Sequence, residues 1–271
     1  MKKFLVLLMS LLLTLACSLS VGCGCNNDDV KYIQEKGTLV VGITVYPPMD
    51  YIDEETGEWT GFDAELANMF GEELGVNVQF VIIKWANKVA ELNSKNIDCI
   101  WNGMTASADL DKNIDFSCSY AENKQVAVVR TSEVANYTSV SAIKNAKIAV
   151  EQGSAGDKQA TDTVKATTIN KVKDQVSALT EVKSGQSDVA LIDLTMAKSI
   201  VGKGDYTDLV IVDTNLVSFG HEEFAVGVRT DSNLAEELNK FFKKVYNDGT
   251  MQRLAEKYGS IALNDAKLGA L

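Results

Sequence analysis

Short apolar runs alternate with amphipathic segments along the first half of the chain. The runs at Thr38–Ile43 and Ile97–Trp101 have the length and composition of buried strands. Between them, the segment that begins at Phe62 carries apolar residues at helical spacing until Gly75, a residue type that often follows a helix end. This alternation predicts an α/β fold.

The same alternation starts again in the second half. Strands are predicted at Lys147–Glu151, Thr167–Val172 and Val189–Asp193, with helices between them. Two further helices are predicted at Asn233–Tyr246 and Thr250–Tyr258. The restart predicts a second α/β lobe, and a chain of 271 residues is long enough to give each lobe a core.

Residues 1–22 have the pattern of an export signal. Lys2 and Lys3 precede an apolar run over residues 4–16, and small residues follow that run. The alternative is an uncleaved transmembrane anchor, because the apolar character approaches the roughly 20 residues that span a bilayer.

The end of this segment favours a lipoprotein. Gly22 followed by Cys23 resembles a lipoprotein box, which predicts cleavage after Gly22 and a diacylated Cys23. Cys17 is a second candidate for acylation. Residues 23–36 are polar and are predicted to be a tether between the lipid and the first lobe.

Charge and residue content argue against several functions. The formal net charge is −11, and so acidic a surface repels nucleic acid and anionic lipid headgroups. His221 is the only histidine, so histidine-based triads or metal clusters have little material, and no cofactor is predicted. Cys99 and Cys118 either form a disulfide or remain thiols, with Cys99 buried in a strand.

The residues that follow Ile97–Trp101 predict one wall of a binding site. Asn102-Gly103 is a turn dipeptide, and Ser107 with the following Ala-Asp-Leu has the pattern of a helix start. A strand that ends in a turn before a helix leaves backbone N–H groups free at the carboxyl edge of the sheet. The plain alternative is one more strand-turn-helix unit.

Residues 97–120 resemble the signature of the amino-acid-binding members of the extracytoplasmic solute-binding proteins, which are the receptors of ABC importers. That signature contains an Asp-x-Ile run, Gly-Met-Thr, a short helix, Asp-Phe-Ser and a tyrosine. The similarity extends from about Gly37 to Gly259. The matching residues are Asp98, Ile100, Gly103, Met104, Thr105, Asp115, Phe116, Ser117 and Tyr120.

The resemblance implies a two-lobed α/β fold of the periplasmic-binding-protein type 2, with a ligand cleft between the lobes. In that family the chain crosses between the lobes twice, and the last helices belong to the first lobe. We therefore expect crossovers near Val126–Arg130 and Glu222–Val226. Lobe 1 would cover residues 37–127 with 226–271, and lobe 2 residues 128–225.

The function implied by the resemblance is the capture of a small amine-bearing solute, foremost an amino acid, for uptake. The partners would be an ABC permease and ATPase complex, and the protein would be a monomer held by lipid at the outer face of the cytoplasmic membrane. No catalysis is expected. The alternatives are a dehydratase-like enzyme on the same fold and an extracellular ligand sensor.

A second candidate wall lies in lobe 2, over residues 151–157. A strand ends there, glycines free the backbone, and Ser154 can cap a helix. The stretch lacks the lysine of a nucleotide phosphate loop, but it suits a single carboxylate held by N–H groups and a helix dipole. Asp193, at the end of a later strand, either caps the helix from Leu194 or, as the resemblance implies, binds the ligand ammonium.

By the same resemblance, Tyr46 and Trp85 would form two aromatic walls around the ligand. On the sequence alone, Tyr46 is equally a loop aromatic that caps the core, and Trp85 is equally a cover for the sheet edge. The predicted ligand-binding residues are Tyr46, Trp85, Asn102, Gly103, Met104, Thr105, Gln152, Ser154, Ala155, Gly156 and Asp193.

One position departs from the family pattern. Leu110 stands where an arginine usually forks onto the ligand α-carboxylate, and a leucine makes no such contact. Either the two helix starts suffice for the carboxylate, or another cation substitutes, or the ligand is not a plain α-amino acid.

Overall fold

A computed structural model describes residues 28–259 and 261–271. The signal peptide predicted over residues 1–22, the candidate acylation sites Cys17 and Cys23, and the first residues of the tether lie outside this range. Inside it, none of the helices combines the length and the apolar character that crossing a membrane requires.

The described residues form two main sheets with helices around them. The strands are β1 (Thr38–Ile43), β2 (Tyr51–Ile52), β3 (Trp59–Thr60), β4 (Asn77–Ile82), β5 (Cys99–Ile100), β6 (Asp115–Phe116), β7 (Ala121–Asn123), β8 (Gln125–Arg130), β9 (Lys147–Glu151), β10 (Thr168–Val172), β11 (Val189–Asp193), β12 (Leu209–Ile211), β13 (Glu222–Phe224) and β14 (Gly227–Val228). The α-helices are α1 (Asp29–Lys36), α2 (Phe62–Leu74), α3 (Lys88–Asn93), α4 (Val140–Ile143), α5 (Ala155–Lys158), α6 (Gln175–Lys183), α7 (Leu194–Ile200), α8 (Leu234–Asn247), α9 (Thr250–Lys257) and α10 (Asp265–Leu268).

The first sheet, in lobe 1, has the strand order β4-β1-β5-β14-β6. Strand β1 lies parallel to β4 and β5, whereas β14 is antiparallel to β5 and β6. Aromatic rings join helix α8 to this lobe: Phe241 lies 5.3 Å from Phe70 and Phe242 lies 5.6 Å from Trp101 between ring centroids. The late helices therefore complete the core of the lobe that the chain builds first.

The second sheet, in lobe 2, has the strand order β10-β9-β11-β8-β12. Strands β9, β10 and β11 are parallel, and β8 runs antiparallel to its neighbours β11 and β12. A two-stranded ribbon of β7 and β13 joins the lobes, with Asn123 opposite Glu222 and Ala121 opposite Phe224. Each lobe therefore has its own sheet, as the fold prediction required.

The position of the first crossover corrects the sequence-based boundary. The segment Val126–Arg130, expected to connect the lobes, belongs to β8 in the sheet of lobe 2. Its apolar side chains are buried, and β8 is an interior strand paired with β11 and β12. The chain leaves lobe 1 earlier, through β7, so the boundary expected between residues 127 and 128 moves to Lys124. Strand β13 lies within the second expected crossover, Glu222–Val226.

Helix α1 corrects the prediction of a tether over residues 23–36. Asp28 caps this helix with its side chain, and Ile33 is fully buried. The carboxylate of Asp29, also buried, accepts a hydrogen bond from Arg229 Nε at 2.9 Å. One apolar side chain and one buried ion pair thus dock the helix on lobe 1, although its overall composition is polar.

Candidate functional site

A cavity of about 490 Å³ lies between the two lobes and reaches the ribbon strand β13. Its volume falls in the range of roughly 300–1,000 Å³ that small-molecule sites occupy. The predicted residues that line it are Tyr46, Trp85, Asn102, Gly103, Met104, Thr105, Ser154, Ala155 and Asp193. Two predicted residues are not among the lining residues: Gln152 is exposed, and Gly156 lies in helix α5 and is buried against β11.

The turn at Asn102 and Gly103 is fixed from inside lobe 1. Asn102 Oδ1 accepts hydrogen bonds from Thr44 N at 3.0 Å and Thr44 Oγ1 at 2.9 Å, and its Nδ2 donates to Asp50 at 2.7 Å. Gly103 has a φ of +53°, and a Cβ there would lie 2.7 Å from the Tyr46 ring. The turn therefore requires glycine, because a side chain would displace the aromatic ring that lines the cavity.

The N–H of Gly103 is not free for a ligand, contrary to expectation. It donates to Asp63 Oδ2 at 2.6 Å, and the hydroxyl of Tyr120 donates to the same oxygen at 2.8 Å. Burial raises the pKa of Asp63 to about 7, although these two donors favour its charged form. Burial, together with the charge of Asp63, raises the pKa of Asp50 well above its usual range. Both carboxyls support the turn from behind.

The helix predicted from Ser107 is wrong. The segment forms hydrogen-bonded turns, in which Asp111 N donates to Ser107 O at 3.0 Å and Ile114 N donates to Leu110 O at 3.1 Å. Strand β6 follows at Asp115, and the residues before it form turns that do not continue into a regular helix. No helix start from this segment faces the cavity, and the polar residues of this wall are Asn102, Thr105, Ser107 and Asp109.

The lobe 2 turn has the predicted cap. Ser154 Oγ accepts a hydrogen bond from Asp157 N at 3.1 Å and begins helix α5, which continues as a π-helix over Gln159–Val164. A Cβ at Gly156 would lie 2.4 Å from Leu191 O, so glycine lets α5 pack directly on β11. The Ser154 hydroxyl is thus engaged by its own helix while it lines the cavity.

The two lobes are in contact around the cavity. A Cβ at Gly153 would lie 2.8 Å from the Cα of Ala86, so lobe 2 meets lobe 1 at van der Waals distance here. Lys88 Nζ donates to Gly153 O at 3.0 Å and to Trp85 O at 3.3 Å. Burial lowers the pKa of Lys88 to about 8, and the negative charge of Glu151 opposes that shift. The cleft between the lobes is therefore closed at this point.

Asp193 is oriented by side-chain amides. Its Oδ1 accepts from Asn123 Nδ2 at 2.5 Å and from Gln125 Nε2 at 2.6 Å, and Gln175 donates to its Oδ2. Its side chain does not cap helix α7, so the cap alternative is excluded. Burial raises the pKa of Asp193, and the hydrogen bonds from the amides work in the opposite direction.

Glu222 and Glu151 also line the cavity, although neither was among the predicted ligand-binding residues. Glu222 Oε2 accepts from Thr105 Oγ1 at 3.1 Å and from Gln125 Nε2 at 2.9 Å. Glu151 is 2% exposed, and burial, followed by repulsion from Asp193, raises its pKa to about 8. A signal did exist for both: Glu222 lies in a predicted crossover and Glu151 ends a predicted strand beside the glycine turn.

The two aromatic residues lie where the resemblance placed them, at the cavity. Tyr46 is 2% exposed and contacts Phe224 edge-on, with 6.4 Å between ring centroids. Trp85 is 7% exposed and begins a 3₁₀ turn over Trp85–Asn87. Each therefore offers a ring surface to a ligand while its remaining edge packs in lobe 1.

Metal binding and disulfide formation have no support in the part of the chain that is described. No group of three or more His, Cys, Asp or Glu side chains there is arranged to hold a metal ion. Cys99 and Cys118 are both free thiols, so the disulfide alternative is not realised. Burial raises the pKa of the Cys99 thiol, which makes it an unreactive core residue.

Comparison with known proteins agrees with this architecture. A family model described as bacterial extracellular solute-binding proteins, family 3, matches residues 39–261. The L-cystine-binding protein TcyJ of Escherichia coli (strain K12) is 27% identical over 246 residues, which cover 90% of this chain and 91% of that protein. The arginine-binding extracellular protein ArtP of Bacillus subtilis (strain 168) is 27% identical over 266 residues, which cover 95% of this chain and 98% of that protein.

A solved structure has the same fold. It is an ABC uptake transporter substrate-binding protein from Streptococcus pneumoniae with bound histidine, and it matches with a TM-score of 0.78 at 28% identity. The match covers 87% of this chain and 98% of that chain.

Proposed function

Because this chain belongs to the bacterial extracellular solute-binding proteins, family 3, we propose that it is the substrate-binding receptor of an ABC importer. It captures a small amine-bearing solute, of the amino-acid class, in the cavity between the lobes. It then presents the solute to a permease and ATPase complex for uptake. The cystine-binding, arginine-binding and histidine-bound relatives support this class of solute.

Asp193 is the observation that carries the proposal. Its carboxylate faces the cavity, and the groups that orient it are the amides of Asn123, Gln125 and Gln175. Amides fix the position of a carboxylate but carry no charge, so the negative charge of Asp193 remains for a ligand ammonium. A charged hydrogen bond in so buried a place is strong and directional.

The mechanism is closure of the two lobes on the ligand. The solute first binds lobe 1 between Tyr46 and Trp85, and lobe 2 then rotates about the β7–β13 ribbon to add Asp193. The contact of Lys88 with Gly153 forms only when the lobes meet. Because the ligand contributes contacts to both lobes, it shifts the equilibrium toward the closed form that the importer recognises.

We further propose that a lipid on Cys23 anchors the receptor at the outer face of the cytoplasmic membrane. The acidic domain would stay in solution while the acyl chains enter the bilayer. Mass spectrometry of the mature N-terminus should find diacylglyceryl cysteine at Cys23, and Cys23→Ser should release the protein from membranes. A lipid on Cys17 would move the anchor to that residue. An unmodified N-terminus after Ala16 or Gly22 would contradict lipid anchoring.

A thermal-shift screen tests the receptor function. Amino acids, cystine, small peptides and polyamines are added singly, and one clear stabiliser that carries a primary amine is expected. Calorimetry of that compound should give saturable one-to-one binding, and the ligand should be recovered unchanged after long incubation. Conversion of the ligand would instead support an enzyme, and a screen with no stabiliser would contradict the receptor.

A further inference from the structure

The cavity wall from lobe 2 and the ribbon carries more negative charge than one ammonium needs. Asp193 and Glu222 both line it and share two donors. Asn123 Nδ2 lies 2.5 Å from Asp193 Oδ1 and 3.2 Å from Glu222 Oε2, while Gln125 Nε2 lies 2.6 Å and 2.9 Å from the same two oxygens. The two carboxylates are thus held side by side by uncharged groups, an arrangement that a cation between them would stabilise.

Glu151 adds a third carboxylate with an unused acceptor. Its side chain is 2% exposed and lines the cavity, and its Oε1 is buried without a hydrogen-bond partner among the described residues. An unpaired buried carboxylate oxygen is costly in free energy unless a donor arrives from the ligand. Asp193 lines the same cavity, so a ligand held there can present a donor to both carboxylates.

The cations around the cavity are committed to protein groups. Lys158 contacts Asp109 at 3.1 Å and Asp162 at 2.9 Å, and Lys171 contacts Asp157 at 2.9 Å.

Lys88 donates to two backbone carbonyls, those of Trp85 and Gly153. No arginine is among the lining residues of the described chain, and Leu110 lines the cavity at the position where the resemblance implies one. A ligand carboxylate therefore finds no forked partner here.

We propose that the ligand is a dibasic solute, with one basic nitrogen between Asp193 and Glu222, a second at Glu151 Oε1, and no requirement for an α-carboxylate. This inference rests on the proposed receptor function, because it names the solute class of the same cavity. Two basic nitrogens on a short chain occur in the basic amino acids and in their decarboxylated counterparts. Both sources share the chemistry that the three carboxylates recognise.

Calorimetry of the full mature protein with matched pairs separates the two sources. The pairs are L-lysine with cadaverine, L-ornithine with putrescine and L-arginine with agmatine, and L-norleucine is the monobasic control. We expect at least one pair to bind, its decarboxylated member to bind no more than about threefold more weakly than the amino acid, and norleucine to bind at least roughly tenfold more weakly than both.

Two results would overturn the inference. Norleucine binding as tightly as the dibasic compounds would show that no second nitrogen is recognised. An amino acid that binds roughly 30-fold or more tightly than its decarboxylated partner would show that the carboxylate is recognised after all. Binding of neutral amino acids alone would refute the dibasic ligand and leave the receptor standing, whereas no binding by any amine would count against both.

Glu151→Gln tests the second nitrogen directly. The substitution keeps the shape but removes a carboxyl that can give up its proton and pair with a ligand cation, so affinity for the dibasic ligand should fall roughly tenfold or more, while affinity for a monobasic amine changes less than about threefold. Glu54→Gln, at an exposed position in lobe 1, makes the same change of charge away from the cavity and is the matched control. An equal Kd for Glu151→Gln and the control would overturn the assignment of the second nitrogen to Glu151. Glu222→Gln makes the same change beside Asp193 and tests the site of the first nitrogen independently.

Lys88→Met tests whether Lys88 takes a ligand carboxylate. Loss of the Lys88 contact with Gly153 weakens closure for every ligand, so the informative quantity is the ratio of the lysine and cadaverine affinities. We expect that ratio to stay within about twofold of the unsubstituted protein. A fall in the ratio of roughly tenfold would place the carboxylate on Lys88 and contradict the proposal.

Discussion

Buried carboxyls stand on both sides of the lobe 1 turn, and the two groups differ in their access to the cavity. Behind the turn, Asp63 accepts from the backbone N–H of Gly103 and from the hydroxyl of Tyr120, and Asp50 accepts from Asn102. These donors belong to the framework of lobe 1. The carboxyls therefore hold the backbone of the turn in place and do not themselves line the cavity.

On the cavity side, Asp193, Glu222 and Glu151 line the space between the lobes. The first two accept from side-chain amides and a hydroxyl. One oxygen of Glu151 has no partner within the described residues, which is also true of Asp50 Oδ1 and Asp63 Oδ1. Burial raises the pKa of carboxyls in both groups. A raised pKa therefore does not by itself mark a ligand site, whereas access to the cavity separates the two groups.

The largest expected effect is on the cavity side. Asp193→Ala should lower affinity for the amine-bearing ligand roughly 100-fold or more, since removing one partner of a buried charged contact costs about 2–5 kcal/mol. Titration calorimetry measures this change. Asp205→Ala, at an exposed position of lobe 2, is the control and should leave affinity unchanged. A normal Kd for folded Asp193→Ala would remove Asp193 from the site.

The opposite pattern is expected behind the turn. Asp63→Ala leaves the Gly103 N–H and the Tyr120 hydroxyl without their acceptor, so the free energy of unfolding should fall by about 2–3 kcal/mol. Urea denaturation measures it, and affinity should change less than roughly tenfold. If Asp63→Ala lost affinity as Asp193→Ala does but kept its stability, the two groups of carboxyls would not differ in role.

The pH dependence of stability sharpens the same distinction. The pKa of Asp63 is raised from 3.8 to about 7, so between these values the folded protein holds a proton that the unfolded chain has lost. The free energy of unfolding should therefore fall as the pH rises from 4 to 7, by at most about 1.4 kcal/mol per pH unit for each such group.

Asp63→Asn should make this slope shallower without abolishing it. Asp50 faces Asp63 and also has a raised pKa, and Glu151 has a pKa of about 8, so both contribute a slope of the same sign in this range. Urea denaturation at pH 5, 6 and 7 compares the two proteins. Equal slopes would mean that Asp63 does not carry the proton.

The smallest effect is expected at the mouth of the cleft. Lys158 and Asp109 bridge the lobes at 3.1 Å, but both side chains are more than half exposed. Lys158→Met should change affinity less than about twofold, and high salt should remove even that difference, because exposed ion pairs are weak and screened. A tenfold loss in low salt would show that the mouth contributes as much to binding as the cavity wall.

The sequence predicted the cavity best where the determinants are local. The Asn102-Gly103 turn, the Ser154 cap and Asp193 at a strand end depend on neighbours within a few residues, and all lie at the cavity. The Ser107 pattern was misleading because a helix-start signal does not show whether the following residues continue as a helix, and here they form turns.

Long-range pairing explains what the sequence could not predict. Glu222 lies at the cavity because β13 pairs with β7 in the register that places Asn123 opposite it. Helix α1 is docked because Asp29 meets Arg229, which lies 200 positions away in the chain. No local pattern reports such contacts, so polar residues in a predicted crossover or tether are easily taken for solvent-facing ones.

The most direct test is a crystal structure of the protein with the strongest stabiliser from the thermal-shift screen. The account predicts that a basic nitrogen of the ligand lies between Tyr46 and Trp85 on one side and Asp193 on the other, within about 2.7–3.2 Å of the Asp193 carboxylate. Both lobes should contact the ligand. A ligand bound elsewhere, or one whose amine points away from Asp193, would contradict it.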